Sequence, residues 1–162
     1  MLEINIALDF YKQEYEESIK CFILPSHQQK YSPLPVEALE TALLKTDRYP
    51  VVITANKKAV GFFVLYADDF IYKHTDNPNA LLLMDFSVNY SNQGQGFAKK
   101  GMGQLRQFII DNFSACNEVV LGVNYRNFRA QKLYEKIGFI DTGRRIIGEN
   151  GEILILSLSL TT

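Results

Sequence analysis

The stretch of this chain best suited to chemistry runs from Asn92 to Gly103, where glycines are concentrated. An apolar run of strand length, Leu81 to Val88, precedes it, and apolar residues at helical spacing follow it. Gly94 and Gly96 permit positive φ and a close approach of the backbone to a ligand. The first N–H groups of the following helix lack intrahelical acceptors. The sequence therefore predicts an anion-binding turn between a strand and a helix.

Spacing argues against a Walker phosphate loop at this turn. Such a loop requires a glycine, four further residues and then Gly-Lys followed by Ser or Thr. Counting from Gly96 reaches Gly101, but Met102 and Gly103 follow it. The Walker interpretation therefore fails.

The dinucleotide-binding fingerprint is also disfavoured. It requires a third glycine at the position that Lys99 occupies, and an acidic residue about 20 positions further on. The pattern that remains is Gln93-x-x-Gly96-x-Ala98, with Gly94 inside it.

The elements that position this turn alternate between strands and helices in a mixed order. Strands are predicted over 2–8, 51–54, 59–66, 81–88 and 118–123, with a closing hairpin of 144–148 and 152–160; helices are predicted over 10–22, 35–46, 97–112 and 127–137; loops are predicted over 24–35 and 68–79. Asp9 is the expected N-cap of the first helix. We expect close packing against the sheet to explain Gly101 within its helix. The order predicts a mixed α/β fold in one domain, 1–162.

Composition excludes several broad classes. The chain has 162 residues, of which 47% are hydrophobic, and its net charge is −1. This charge gives no general attraction to nucleic acid or to an anionic membrane, and no apolar run is long enough to cross a bilayer. Cys21, Cys116, His27 and His74 show no metal-ligand spacing, so no metal site is predicted. We expect a cytoplasmic protein.

A second pattern, on a later helix, narrows the interpretation of the glycine turn. Asn127-x-x-Ala130-x-x-Leu133-Tyr134-x-x-x-Gly138-Phe139 lies on the helix that follows the fifth predicted strand. Together with the glycine turn and the order of elements along nearly the whole chain, it resembles the GNAT superfamily of N-acetyltransferases. The resemblance implies a central, largely antiparallel sheet with splayed fourth and fifth strands, flanked by helices. It also implies acetyl-CoA as cosubstrate.

The resemblance assigns cofactor contacts residue by residue. The pyrophosphate is expected on the backbone amides of the turn, the pantetheine arm beside the fourth strand, and the amide groups of the cofactor near Asn127. Gln93 either bonds the pyrophosphate or holds the turn, and Asn127 can also cap its helix. The expected cofactor-binding residues are Phe86, Ser87, Val88, Gln93, Gly94, Gln95, Gly96, Phe97, Ala98, Lys99, Asn127 and Tyr134.

Two residues are expected to be catalytic. Tyr134 is the predicted general acid, because a phenol with a pKa near 10 stays protonated at neutral pH and can protonate a departing thiolate. Asp85 is expected to bind the substrate ammonium or to remove its proton, although a structural carboxylate is an equal alternative. Strand alternation places Asp85 on the face of Leu83 and Ser87, opposite Met84 and Phe86.

The acceptor is less specified than the cofactor. Asp85-Phe86-Ser87-Val88 resembles the spermidine/spermine and related small-amine acetyltransferases, although Met84 stands where several of them have an acidic residue. The sequence thus favours a small-molecule primary amine, such as a polyamine. A protein or peptide acceptor and a catalytically silent CoA-binding module are the alternatives. A homodimer is expected, because the apolar strand 153–160 needs a partner or a covered edge.

Overall fold

The computed structural model describes residues 3–161, which form one seven-stranded sheet with helices on both faces. The strands are β1 (Ile6–Phe10), β2 (Arg48–Ala55), β3 (Lys58–Tyr66), β4 (Ala80–Val88), β5 (Glu118–Asn124), β6 (Ile140–Gly148) and β7 (Gly151–Ser159). Their order is β1-β2-β3-β4-β5-β7-β6. Only the β4–β5 pair is parallel among these described strands, so the sheet is largely antiparallel, as predicted.

The helices are α1 (Glu16–Lys20), α2 (Ser26–Gln29), α3 (Pro35–Leu43), α4 (Phe97–Met102), α5 (Leu105–Asn112) and α6 (Phe128–Lys136). Short 3₁₀ segments occupy Gln13–Tyr15, Asp69–Lys73 and Tyr90–Asn92. Apolar residues of α1 and α3 pack on one face of the sheet, and those of α4, α5 and α6 pack on the other. Each helix thus buries its apolar side against β-branched and aromatic residues of the central strands.

The beginning of the chain differs from the prediction. Phe10 ends β1 and does not open a helix, and the predicted helix over 10–22 is a 3₁₀ turn followed by α1. Asp9 is not an N-cap, because its carboxylate accepts a hydrogen bond from the Tyr15 hydroxyl at 2.6 Å and pairs with Lys12 at 3.2 Å. Pairing of β1 with β2 outweighs local helical spacing here.

The helix predicted over 97–112 is two helices. The break lies at Gly103 and Gln104, between α4 and α5. Close packing explains the glycine at position 101, as expected. A Cβ there would lie 2.7 Å from Cγ2 of Ile53 in β2, because α4 packs closely on the sheet. The predicted loops over 24–35 and 68–79 also contain structure, namely α2 and the 3₁₀ segment Asp69–Lys73.

The fourth and fifth strands separate partway along their length. Their parallel pairing runs from Ala80 opposite Glu118 to Leu83 opposite Leu121 and then stops, although both strands continue. Beyond that point β4 carries an irregularity opposite β3, and Asp85 has a φ of +61°. A bulge of this kind bends its strand. The predicted splay is therefore present, and it opens the sheet on the side of β5.

Candidate active site

Two adjoining cavities lie where β4 and β5 separate. The first, called here the loop cavity, has a volume of about 420 Å³ and is bounded by the glycine turn, α6, the end of β4 and the segment around α2. The second, the strand cavity, has a volume of about 240 Å³ and lies between the separated strands. Both are lined by Tyr31, Ser32, Phe86, Asn127 and Ala130, so they meet along these residues.

The glycine turn has the conformation that its sequence requires. Gly94 and Gly96 have φ values of +78° and +80°, and a Cβ at either position would meet open space. Conformation, and not crowding, therefore explains these two glycines. Lys100 donates the first helical hydrogen bond to the carbonyl of Gly96 at 3.0 Å. The N–H groups of 97–99 consequently lack intrahelical acceptors.

The side chain of Gln93 fixes the turn to its surroundings. Its amide nitrogen donates to the carbonyl of Val88 at 2.8 Å and to Oε1 of Gln28 at 2.9 Å, while its oxygen accepts from Gln28 at 3.1 Å. Arg129 of α6 approaches the same oxygen at 3.4 Å. Of the two predicted roles for Gln93, these contacts are those of the turn-holding role.

Asn127 has the predicted capping role. Its Oδ1 accepts a hydrogen bond from the N–H of Ala130 at 3.3 Å, and α6 begins at the next residue. Its position on the shared border of the cavities follows from this, because the start of α6 faces the gap between β4 and β5.

Most of the predicted cofactor residues are brought together. The loop cavity is lined by Phe86, Ser87, Val88, Gln93, Gly94, Gly96, Phe97, Ala98, Lys99 and Asn127. Gln95 is not among the lining residues; its amide donates to the carbonyl of Ser91 at 3.2 Å. Tyr134 and Asp85 line the strand cavity instead. The turn and the two candidate catalytic residues thus lie in different cavities.

Tyr134 presents a phenol without a protein partner to the strand cavity. The residue is 5% exposed, and its ring meets Phe86 and Phe139 edge-on at centroid distances of 6.1 and 5.7 Å. Within residues 3–161 its hydroxyl makes no hydrogen bond. Burial raises the pKa of Tyr134 above its ordinary value of 10.0, so the hydroxyl is protonated at neutral pH.

Asp85 does not lie on the face that strand alternation predicts. Met84 packs with the apolar cluster of α1 and α3, whereas Phe86 packs with the cluster of α4, α5 and α6, so these two residues do not share a face. The positive φ of Asp85 breaks the alternation. Its Oδ2 instead accepts a hydrogen bond from the Tyr66 hydroxyl at 3.3 Å.

The surroundings of the Asp85 carboxylate are poorly hydrated but polar. Burial raises the pKa of Asp85, while the hydrogen bond from Tyr66 and the charge of Arg48 oppose this shift. Burial and the Asp85 charge together raise the pKa of Tyr66 to about 12. The Arg48 guanidinium lies 3.9 Å from the centre of the Tyr66 ring, in cation–π geometry.

Several lining residues had no signal in the sequence. His74 and Glu149 line the strand cavity, and Gln28 and Arg129 line the loop cavity. His74 and Gln28 come from predicted loops, while Glu149, in the predicted hairpin turn, and Arg129, in the predicted helix 127–137, had no role assigned. The buried hydroxyl of Ser87 has no hydrogen-bond partner in the described chain, and it lines the loop cavity. His74 lies in a predicted loop, where no spacing to other residues indicates a functional role.

Metal-ligand groups and membrane-spanning helices are both absent from the part of the chain that the structure describes. Among 3–161 no three His, Cys, Asp or Glu side chains are grouped as a metal site would require. None of the helices described has the length and apolar character needed to span a membrane.

Comparison with known proteins agrees with the geometry. The sequence pattern of the Acetyltransferase (GNAT) family matches residues 9–139. The uncharacterized N-acetyltransferase YbbJ of Bacillus subtilis (strain 168) is 44% identical over 153 residues, which cover 94% of this chain and 96% of that protein.

Two solved structures share the fold at low sequence identity. Spermidine N-acetyltransferase from Vibrio cholerae, in complex with CoA and spermine, has a TM-score of 0.72 at 16% identity and covers 96% of this chain and 95% of its own. Aminoglycoside acetyltransferase AAC(6')-Ib, in complex with coenzyme A, has a TM-score of 0.75 at 16% identity with the same two coverages.

Proposed function

The chain belongs to the GNAT family of acetyltransferases and uses acetyl-CoA, and we propose that it acetylates a primary amine of a small molecule. One observation carries this proposal. The loop cavity, with its glycine turn, opens into a smaller cavity that presents the Tyr134 hydroxyl and the Asp85 carboxylate. A donor and an acceptor can therefore meet at the shared border.

The loop cavity is suited to the phosphate end of acetyl-CoA. Free N–H groups at the start of α4 and the positive-φ glycines allow the backbone to approach the pyrophosphate. Lys99 also lines this cavity, and a cation in the first helical turn is unfavourable until an anion is nearby. Ser87, whose buried hydroxyl has no hydrogen-bond partner within residues 3–161, lines the same cavity.

The separated edge of β4 is suited to the pantetheine arm and the thioester. The N–H of Asn89 donates to the carbonyl of Val60, which lies in the neighbouring strand β3. Because successive N–H groups of a strand point to opposite edges, the N–H of Val88 points into the gap that β5 leaves. An extended ligand can bond to such an edge as an added strand. This N–H is the oxyanion donor that we propose.

Chemistry follows from this placement. The neutral acceptor nitrogen attacks the thioester carbonyl carbon, and the resulting oxyanion is held by the backbone of β4. The attacking nitrogen loses a proton to solvent, the C–S bond breaks, and the leaving thiolate takes the proton of the Tyr134 hydroxyl. Solvent returns a proton to Tyr134.

Charge and size of the strand cavity support a small cationic acceptor. Its carboxylates, Asp85 and Glu149, face a space of about 240 Å³, which is small for an anchored peptide segment. Lys30 is the lysine on this lining. The two structural neighbours described above are named as an aminoglycoside acetyltransferase and a spermidine N-acetyltransferase, and these names support such amines as candidates.

An acceptor panel tests this proposal. Thiol release from acetyl-CoA is measured with polyamines, aminoglycosides, amino acids and peptides, and a polyamine or aminoglycoside is expected to give the highest kcat/KM. Turnover with peptides alone would show that the acceptor is a protein or peptide amine and not a small molecule. Tight acetyl-CoA binding without turnover of any amine would instead indicate a silent CoA-binding module.

We also propose a homodimer in the cytoplasm. The predicted reason for the dimer is wrong, because β7 lies between β5 and β6 and has no free edge. The edge strands of the described sheet are β1 and β6, and Ile140 and Ile147 of β6 are 70% and 77% exposed. A purely monomeric species in sedimentation velocity at micromolar concentration would contradict the dimer.

A further inference from the structure

Two side-chain polar atoms in residues 3–161 are buried without a hydrogen-bond partner, and each belongs to a residue that lines one of the two cavities. They are the hydroxyl of Ser87, a residue of the loop cavity, and Nδ1 of His74, a residue of the strand cavity. Buried polar atoms are rarely left unpaired in native proteins, because the lost hydration costs about 1–3 kcal/mol. The His74 imidazole, which is 8% exposed as a residue, therefore requires an explanation.

The backbone around His74 is firmly held. His74 follows the 3₁₀ segment Asp69–Lys73, and its N–H donates to the carbonyl of Ile71 at 2.8 Å. Arg144 of β6 reaches across to the same segment, donating to the carbonyl of Tyr72 at 3.1 Å and pairing with Asp76 at 3.3 Å. The segment is thus tied to the sheet from two sides.

The imidazole ring lies at the point where the sheet opens. Its Cδ2 is 3.7 Å from the position that a Cβ of Gly122 would occupy, and Gly122 is the first β5 residue beyond the last β4–β5 pair. The ring of Phe70 supports it from its own segment, at a centroid distance of 5.8 Å. His74 therefore lines the strand cavity close to the point where β4 and β5 separate.

We propose that His74 accepts the proton of the acceptor amine, and that Asp85 holds the ammonium group before this transfer. The inference rests on the proposed function and deepens it by naming the base. Asp85 is the poorer candidate for the base, because its carboxylate is already bonded to Tyr66 and faces the charge of Arg48. His74 lines the same cavity, and within residues 3–161 no side chain is hydrogen-bonded to its ring.

The proton balance is simple. The ammonium gives one proton to the neutral imidazole, and the freed nitrogen lone pair forms the bond to the thioester carbon. After the C–N bond forms, the nitrogen loses its second proton to solvent, Tyr134 protonates the thiolate, and His74 returns its proton to solvent. The products are an N-acetyl amide, CoA thiol and one released proton.

The charge state of His74 is compatible with this role. Burial lowers the pKa of His74, and the charges of Arg144 and Lys73 lower it further, while the Phe70 carbonyl opposes them. Asp85 and Glu149, which face the same cavity, are the carboxylates among its lining groups. The imidazole is therefore neutral at pH 7 and able to take a proton. The same poor hydration also lowers the pKa of a bound ammonium.

His74→Gln tests the inference with an amine that the wild-type protein acetylates. Glutamine keeps a hydrogen-bonding side chain of similar length but does not titrate. We expect kcat to fall about 10²- to 10⁴-fold, with an unchanged KM for acetyl-CoA, and the acid limb of the wild-type pH profile of kcat/KM to disappear. Added imidazole is expected to restore part of the activity of His74→Ala. Tyr72→Phe, which changes an exposed ring in the same segment, is the matched control and should retain wild-type kinetics.

The outcomes separate the inference from the proposed function. Near-wild-type kcat in His74→Gln would overturn the role of His74 while leaving the acetyltransferase proposal intact. Loss of activity with a persistent acid limb and no rescue by imidazole would also overturn it, since that pattern indicates a structural histidine. If the wild-type protein acetylates no amine, the proposed acceptor class and this inference both fail.

Discussion

The two cavities are built in different ways. The loop cavity contains a continuous stretch, 92–99, whose backbone provides the groups for anion binding, and its other walls are the end of β4, the segment around α2 and α6. The strand cavity is formed by side chains from separate segments, including Lys30, His74, Asp85, Tyr134 and Glu149. Backbone geometry dominates the first and side-chain chemistry dominates the second.

This difference matches what each cavity must recognise. A pyrophosphate is bound well by N–H groups and tolerates variation in nearby side chains. An acceptor amine must be held, deprotonated and placed against the thioester, which needs particular charged and titratable groups. Substitutions in the strand cavity should therefore affect the chemical step. Substitutions near the glycine turn should affect the affinity for the cofactor or the stability of the fold.

Tyr134→Phe, in the strand cavity, is expected to have the largest effect. It removes only a hydroxyl that makes no hydrogen bond within residues 3–161, so the ring contacts with Phe86 and Phe139 are retained. We expect kcat to fall about 10²- to 10⁴-fold with little change in melting temperature, as measured by thiol release and thermal unfolding.

Tyr49→Phe is the matched control for that change. Tyr49 also contacts an aromatic ring edge-on, with a centroid distance of 5.1 Å to Phe113, but it lines neither cavity. Its kinetics should remain at the wild-type level. Equal turnover by Tyr134→Phe and wild type would remove the phenol from the mechanism.

Asp85→Asn is expected to have an intermediate effect, concentrated on the acceptor. Asparagine tolerates the positive φ of this position, so the bulge should persist. Loss of the charged contact should lower kcat/KM for the amine about 10- to 100-fold, while the KM for acetyl-CoA stays constant. An unchanged amine kcat/KM would show that the carboxylate is structural. Asp111→Asn, on the exposed side of α5, is the control.

The same substitution has a pH signature in stability. Burial raises the pKa of Asp85 above its ordinary value of 3.8, so the carboxyl is favoured in the folded state when protonated. Its contribution is fully present below that ordinary value and is lost as pH rises through the folded pKa. Asp85→Asn should therefore gain in melting temperature relative to wild type between acidic and neutral pH. A difference independent of pH would contradict this assignment.

Two glycine substitutions are expected to have the smallest effects, and they distinguish conformation from packing. In Gly96→Ala the added Cβ would have open space, but the backbone φ of +80° is unfavourable for alanine. The substitution should strain the turn by about 1–2 kcal/mol and raise the KM for acetyl-CoA about 5- to 30-fold.

Gly101→Ala places a Cβ 2.7 Å from Ile53. It should therefore cost about 1–3 kcal/mol of stability without changing the KM for acetyl-CoA. The reverse pattern would show that the turn does not shape the cofactor site.

Much of the fold was predictable because its signals are local. Alternating and continuous apolar runs identified the hairpin of β2 and β3, and the turn between them has the positive φ at Asn56 and Lys57 that such hairpins use. The splay of β4 from β5 came only through the family resemblance, since pairing between distant segments leaves no local pattern. Helical spacing failed near Phe10, where pairing with β2 decided the outcome.

The sequence by itself determined the glycine turn, the cap at Asn127 and the family, because each depends on a few residues close together in the chain. Only the tertiary structure decided which residues surround the acceptor. The bulge at Asp85 and the burial of His74 arise where distant segments pack, and neither leaves a spacing in the sequence. A site formed by the backbone of one segment can be recognised from a short sequence motif. A site made of side chains from separate segments forms only when the fold brings those segments together.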